Sequence, residues 1–376
     1  MKSYLYLFIS AVVLSGCSSD KSEDKQEEDK CIKNTPQESQ SSSDLLFVSD
    51  FNNILNSEIR TIKKSEKSFL LSKNPLGKVD TNITFKRFDE VISHSPTTPY
   101  SWSHDALDSQ RYELDGYVDK GQLDGYGVDI YIIDSGLDTN DNPEFQNINI
   151  EEPLNLSGCD TDYSGHGTAV ASLIAGENLG YAVNSTIIPI TFFDSNGSGK
   201  LSNLLKAYQY IADKVKERGN PAIVNFSGGS FQTNDILNKA TQEITKLGVI
   251  FVAAAGNDGS TACNYPAGNP NVLSVSGLGH NGYDIYASND FNYGSCVDVY
   301  APGKDVVVSR QSGYGISNGT SFASPLVTGI LASALSANVI SPENFREVIN
   351  NNSYRFINEL EPNKNYAITG KPENWY

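Results

Sequence analysis

The chain has 376 residues, 39% hydrophobic and 19% charged, enough to bury one large core and unlike a disordered composition. Its formal net charge of −17, with no Lys/Arg-rich face to offset it, repels phosphate backbones and excludes nucleic acid as an expected partner.

Lys2 makes the start positive, Tyr4 to Leu14 form an apolar stretch too short to span a membrane, and Leu14-Ser15-Gly16 leads into Cys17. This resembles a bacterial lipoprotein signal, which implies loss of residues 1–16 and a lipid on Cys17; an ordinary secretory signal is the plainer alternative. Either signal places the protein outside the cytoplasm. Ser18-Ser19 lacks the aspartate of inner-membrane retention, so a lipid-anchored place at the outer membrane or surface of a bacterial envelope is expected. Residues 17–43 are polar and read as a flexible tether. From residue 44 the composition changes. LLFVS predicts a strand, Asp50 to Lys64 a helix with Ile54, Leu55 and Ile59 on one face, and Ser68 to Leu71 and Asn82 to Phe88 further strands. These form a small α+β unit over residues 44–98, too small to be very stable alone. The run HSPTTPYSW, His94 to Trp102, breaks regular structure and opens a second domain, residues 99–376.

There, apolar strands alternate with helical patterns. Val128 to Asp134, Ile187 to Phe193, Ala222 to Ser227 and Val249 to Ala255 read as strands, and Leu201 to Arg218 and Asn234 to Leu247 as helices. The expected fold is α/β, a doubly wound, mostly parallel sheet with helices on both faces and its active site at the carboxyl ends of the strands.

Four polar residues stand at such ends. Asp134 closes VDIYIIDSG, His166 sits in SGHGTAVASLIAG, Asn257 closes VIFVAAAGN, and Ser321 lies in NGTSFASP ahead of an apolar helix from Ala323 to Leu335, with Pro325 in its first turn. Each has a structural alternative: a turn or cap for Asp134, a helix start for His166, an αL turn for Asn257, and an N-cap for Ser321, for which Ser324 competes. Together they supply a whole mechanism. A serine hydroxyl attacks only when a histidine takes its proton, and a carboxylate must orient that histidine. A competing motif, Gly315-Ile316-Ser317-Asn318-Gly319, matches the nucleophile elbow of α/β-hydrolases but needs an acid and then a histidine downstream, whereas all four histidines, at 94, 104, 166 and 280, precede it.

The order Asp134, His166, Ser321, with the blocks VDIYIIDSG, SGHGTAV, NGSG, VNFSGGS, VAAAGN and NGTSFASP, resembles the subtilisin-like serine proteases over roughly Tyr100 to Ala337. CNYPAGNPNVLSVSG and FNYGSCVDVYAPG are similar to the proteinase K and aqualysin branch. The resemblance implies an endopeptidase with Asp134 as orienter, His166 as general base then acid, Ser321 as nucleophile, and Asn257 with the Ser321 N–H as oxyanion hole. It also implies an extended peptide substrate added as a strand between Gly197-Ser198-Gly199 and Ser227-Gly228-Gly229, beside Ala254 and Gly256, with a large apolar side chain next to the scissile bond. A disulfide Cys263–Cys296 and a calcium ion on the Pro270 and Val272 carbonyls and the Asp298 carboxylate are implied in the same way. Cys159 also resembles a family disulfide position, but the usual partner site near Ser195 has no cysteine here; with Cys17 lipidated, Cys31 is the one left to pair with it. No redox or nucleotide cofactor is expected, partners are protein or peptide substrates and the membrane, and the molecule is expected to be a monomer made as a zymogen. Ala169, Phe322 and Gly228 depart from the family pattern, the last beside the specificity pocket. A catalytically silent binding protein of the same fold is the alternative function.

Overall fold

The computed structural model describes residues 44–88, 90–92, 101–108, 114–159, 161–281, 284–311, 313–354, 368 and 370–375. The expected signal, tether, Cys17 and Cys31 lie outside the described residues.

Strands β1 (Leu45–Val48), β2 (Ile59–Ile62) and β3 (Lys78–Thr81) form an antiparallel sheet in the order β2-β1-β3, with helix α1 (Lys67–Lys73) between β2 and β3. Two expectations are corrected here. The helix expected over Asp50 to Lys64 is a short 3-10 turn, Ile54–Asn56, followed by β2, and the strand expected at Ser68 to Leu71 lies inside α1. Short apolar runs do not separate helix from strand by periodicity, and partners decided both. Leu46, Val48, Ile54 and Leu55 join the main core, whereas Phe47 faces the other way onto Ile62, Leu70 and Val79. Four side chains cannot sustain an independent core, so the unit depends on the larger domain.

After β3 the chain leaves that sheet. Strand β4 (Thr84–Arg87) lies across the large domain, and β5 (Glu90–Ile92) pairs with a hairpin near its end. The strand expected over Asn82 to Phe88 is therefore present but belongs elsewhere than the small unit.

The central sheet contains β6 (Asp129–Asp134), β7 (Asn149–Ile150), β8 (Leu154–Asn155), β9 (Thr186–Thr191), β11 (Ala222–Phe226), β13 (Ile250–Ala254), β14 (Leu273–His280), β15 (Ile285–Ala287) and β16 (Val299–Pro302). Its order is β15-β14-β13-β11-β6-β9-β7, with β16 on β14, β8 on β9, and β15 as the antiparallel member. The four expected strands are β6, β9, β11 and β13, and every residue of β6, β11 and β13 is buried, as parallel strands covered on both faces must be. Helices α2 (Trp102–Asp108), α3 (His166–Ala175), α4 (Leu201–Arg218), α5 (Asp235–Thr245), α6 (Thr320–Ser336) and α7 (Phe345–Asn352) complete the domain. α3 and α6 pack together and are buried nearly all round; α4 and α5 pack together and are amphipathic.

Two short sheets frame the site. β10 (Ser198–Lys200), β4 and β12 (Gly228–Gly229) form one, in the order β10-β4-β12; β17 (Val306–Arg310), β18 (Gly313–Asn318) and β5 form the other. The small unit sits on α4 and α5. Gln209 Nε2 donates to the Ser57 carbonyl (2.8 Å), Asn234 Nδ2 to the Thr81 carbonyl (2.9 Å), and Lys78 pairs with Asp235 (2.8 Å).

Candidate active site

Asp134 ends β6 with its side chain buried, and His166 is the first residue of α3. The two come together because Gly167 has no side chain: a Cβ there would lie 2.0 Å from the Gly136 carbonyl oxygen. His166 Nδ1 stands 2.7 Å from Asp134 Oδ1. A carboxylate only accepts, so Nδ1 carries a proton, and in the neutral ring the lone pair is then on Nε2. Nε2 is buried without a hydrogen-bond partner among the described residues, because the Ser321 hydroxyl is bonded to the Phe88 and Ser227 carbonyls instead. A second buried carboxylate, Asp162, positions this pair. It accepts from Ser135 Oγ (2.8 Å), Ser164 Oγ (3.0 Å), Gly165 N (3.0 Å) and Thr168 Oγ1 (2.7 Å), tying the turn after Asp134 to the start of α3. Sequence reasoning passed over Asp162, although it stands four residues before His166 in DYSGHG.

Ser321 is the second residue of α6, and Gly319 is the N-cap. This removes the capping role for Ser321 and for Ser324, whose hydroxyl donates to Asn225 Oδ1 at 2.7 Å. It also corrects the reading of Pro325. The helix begins three residues earlier than expected, so the proline lies within it, and its missing N–H leaves the Ser321 carbonyl without its intrahelical donor. Ser227 Oγ fills that place, donating to the Ser321 carbonyl at 3.0 Å and accepting from Asn225 Nδ2 at 3.0 Å.

Asn257 lies beyond the end of β13. Its Oδ1 accepts from Thr320 N (3.0 Å) and Thr320 Oγ1 (2.9 Å), which leaves Nδ2 free to donate elsewhere. Gly319, at φ +142°, keeps that space open: a Cβ there would lie 3.0 Å from Asn257 Nδ2 and 3.2 Å from the Phe88 carbonyl oxygen.

That carbonyl belongs to the chain in the cleft. β4 runs antiparallel to both glycine segments, with Phe85 opposite Gly199, Lys86 opposite Ser198 and Gly229, and Arg87 opposite Gly228. Phe88 follows, and its carbonyl oxygen accepts the Ser321 hydroxyl, for which the Ser227 carbonyl at 3.1 Å is a second acceptor. A Cβ on Gly229 would lie 2.8 Å from the tip of the Phe88 ring and 3.0 Å from Asn264 Cβ, so Gly229 and Asn264 wall the space that the Phe88 side chain occupies. Phe85 is buried in an aromatic cage, its ring 6.1 Å from that of Phe192 and 5.9 Å from that of Phe226. The room left by glycine at position 228 is taken by Phe193, whose ring a Cβ there would meet at 2.4 Å. Ala254 ends β13 in the core, and Gly256, at φ +113°, begins the turn to Asn257.

Other candidates take structural places. Ser317 lies within β18, paired there with β17 and β5 and not on the turn at Gly319 that leads into α6, and it accepts from the Arg310 guanidinium at 2.6 Å. His104 is bonded through Nε2 to the Leu179 carbonyl (2.6 Å), and burial holds its pKa down to about 4. Ala169 and Phe322 are buried; the Phe322 ring lies 5.5 Å from the His166 ring. Cys263 and Cys296 form a disulfide. Cys159 is also disulfide-bonded.

The implied calcium ligands do converge, but on a side chain. Arg346 Nη1 pairs with Asp298 Oδ1 at 2.7 Å, and Nη2 donates to the Val272 carbonyl at 2.6 Å, with the Pro270 carbonyl 3.5 Å away. These three oxygens, as arranged, do not fit a metal ion.

A three-layer α/β protein with a buried Asp–His pair at the carboxyl edge of a parallel sheet and a serine in the first turn of a buried helix is the class this geometry defines. The model of the subtilase family matches residues 90–370, and the chain belongs to that family. It is 31% identical over 282 residues to an alkaline serine exoprotease A of Vibrio alginolyticus, covering 72% of this chain and 51% of that one. It is 31% identical to subtilisin-like protease 10 of Arthroderma otae, covering 64% and 60%. The chain thus spans about half the length of the curated relatives it matches. Among solved structures it resembles a cold-adapted subtilisin-like serine proteinase, with TM-score 0.64 and 29% identity over 73% of this chain and 99% of that one. The fold of fervidolysin, from Fervidobacterium pennivorans, matches over 93% of this chain with TM-score 0.68 at 21% identity.

Proposed function

We propose that the chain is a membrane-anchored, extracytoplasmic serine endopeptidase, and that its first substrate is its own peptide bond between Phe88 and Asp89. The observation that carries this is the lie of Thr84–Phe88: an extended segment paired on both sides, its last carbonyl held at the Ser321 hydroxyl. In the reaction Ser321 Oγ attacks the Phe88 carbonyl carbon while His166 Nε2 takes the hydroxyl proton, and Asp134 stabilises the imidazolium. The oxyanion on Phe88 is met by Asn257 Nδ2 and the Ser321 N–H at the positive end of α6. The C–N bond breaks, His166 returns the proton to the amine of Asp89, and water, deprotonated by His166, then hydrolyses the ester.

The same cleft supports a preference in other substrates for a large apolar residue before the cut, as Phe88 is, and an aromatic one three residues earlier, as Phe85 is. The segment before the cut would then remain as an inhibitor, making the uncut chain a zymogen. A lipid on Cys17 would anchor the molecule at the bacterial outer membrane or surface, and a Cys31–Cys159 bridge would hold the N-terminal piece on the enzyme after cleavage.

One gel tests both parts. The full chain should yield two polypeptides, the larger beginning at Asp89, while Ser321→Ala stays whole; a cut that persists in Ser321→Ala overturns self-cleavage. Without reductant the two pieces should run as one. Pieces that separate without reductant overturn the bridge.

A further inference from the structure

The guanidinium of Arg346 occupies the centre of an oxygen cluster that is otherwise suited to a divalent cation. Two backbone carbonyls, Pro270 and Val272, and one carboxylate, Asp298, point inward, a hard-oxygen set of the kind that calcium takes at about 2.3–2.6 Å. Arg346 reaches two of these oxygens at 2.6 and 2.7 Å, so a metal at bonding distance would fall where its N–H groups lie. Charge gives the same answer. The carboxylate carries −1 and the guanidinium +1, so the cluster is neutral, and an added divalent ion would face a fixed positive charge with no second carboxylate to offset it. The remaining atoms are also placed. Asp298 Oδ2 accepts from Ser274 N at 2.9 Å, and the Arg346 guanidinium lies 5.4 Å from the centre of the Phe345 ring.

We infer that Arg346 acts as a built-in replacement for a metal ion at this site. What it stabilises is near the cleft. The segment Cys263–Val272 supplies Asn264 to the wall beside Phe88 and pairs with Ser230 through Tyr265. Its far end, Pro270–Val272, is the part the guanidinium ties to α7. The pocket wall is therefore held by the chain's own cation, and its order does not depend on free calcium at this position.

The test uses the full chain carrying Ser321→Ala, so that no self-cleavage intervenes, and reads Tm in excess EGTA and in millimolar calcium. With Arg346 present, Tm should not change between the two through this site. Arg346→Ala should lower Tm in EGTA by roughly 2–4 °C or more, the shift that follows from losing about 1 kcal/mol in a domain of this size. Calcium should then restore part of the loss, and adding Asp298→Asn to Arg346→Ala should abolish the restoration. If Arg346→Ala fails to fold in EGTA, Arg346→Lys, which keeps the charge but not the forked geometry, should fold and show a smaller calcium response of the same kind. Equal calcium responses with and without Arg346 would overturn the inference. A calcium response of the arginine-containing chain that Asp298→Asn removes would overturn it too.

Discussion

Single atoms explain why Asn257, and not a neighbouring polar group, should carry the oxyanion. Both Thr320 donors fix its Oδ1, so the amide cannot turn over without breaking two hydrogen bonds, and Nδ2 is presented to the carbonyl already oriented. Preorganised donors of this kind are effective because nothing has to reorganise as charge develops. Asn257→Ala should therefore lower kcat by about 10²–10³ with a much smaller effect on KM, measured on a peptide substrate; an unchanged kcat would remove Asn257 from the site. The roles proposed for Asp134, His166 and Ser321 could be read from the chain because that chemistry needs those residue types in combination. Asp162, Thr320 and Asn225 were not legible, since a buried Asp, Thr or Asn that only positions another residue has no distinguishing pattern until its partners are known.

Among the elements, β4 shows how a strand can be read correctly and placed wrongly. Its alternation was visible in TFKR, yet its hydrogen bonds go to β10 and β12, more than a hundred residues away. The buried face of β4 is Phe85, in contact with the rings of Phe192 and Phe226. Removing a fully buried Phe costs about 3–5 kcal/mol, and part of that energy holds Phe88 against Ser321. Phe85→Ala should slow self-cleavage at least about tenfold, which needs only ~1.4 kcal/mol of that loss. A time course of fragment appearance measures this, and an unchanged rate would mean that the aromatic cage does not position the scissile bond. Helix α6 offers a second case. The proline that looked harmless at a helix start lies inside the helix, and the carbonyl it releases is the one Ser227 uses to fasten the backbone of Ser321. The long periodic elements, α4 and α5 and the buried strands, matched their expected spans because burial on one stripe or on both faces leaves a strong pattern.

In the molecule as a whole, stability should fall on the acid side for an identifiable reason. His104 joins α2 to the turn after α3 through the Leu179 carbonyl, and its ring stacks on Tyr181. Burial lowers its pKa from 6.5 to about 4, so the unfolded chain takes up a proton that the folded chain refuses. The contribution is fully present above pH 6.5 and is lost as the pH falls through 4, amounting to about 3 kcal/mol by the size of the shift. Tm measured from pH 7 to pH 4 should drop, and His104→Asn should flatten that part of the curve; an equally steep curve in the variant would place the acid sensitivity elsewhere.

The chain's own order of residues was enough to establish the α/β alternation, to single out the three candidate catalytic residues and to mark the two glycine segments that flank β4. These are properties of local pattern and of chemistry that requires particular side chains. Tertiary contact alone decided that residues 84–88 lie in the cleft, that Phe193 fills the space beside Gly228, and that Arg346, 74 residues beyond Val272, stands where a metal was expected. Each of these depends on groups far apart in the chain competing for one small volume. Only packing reveals which of them is there.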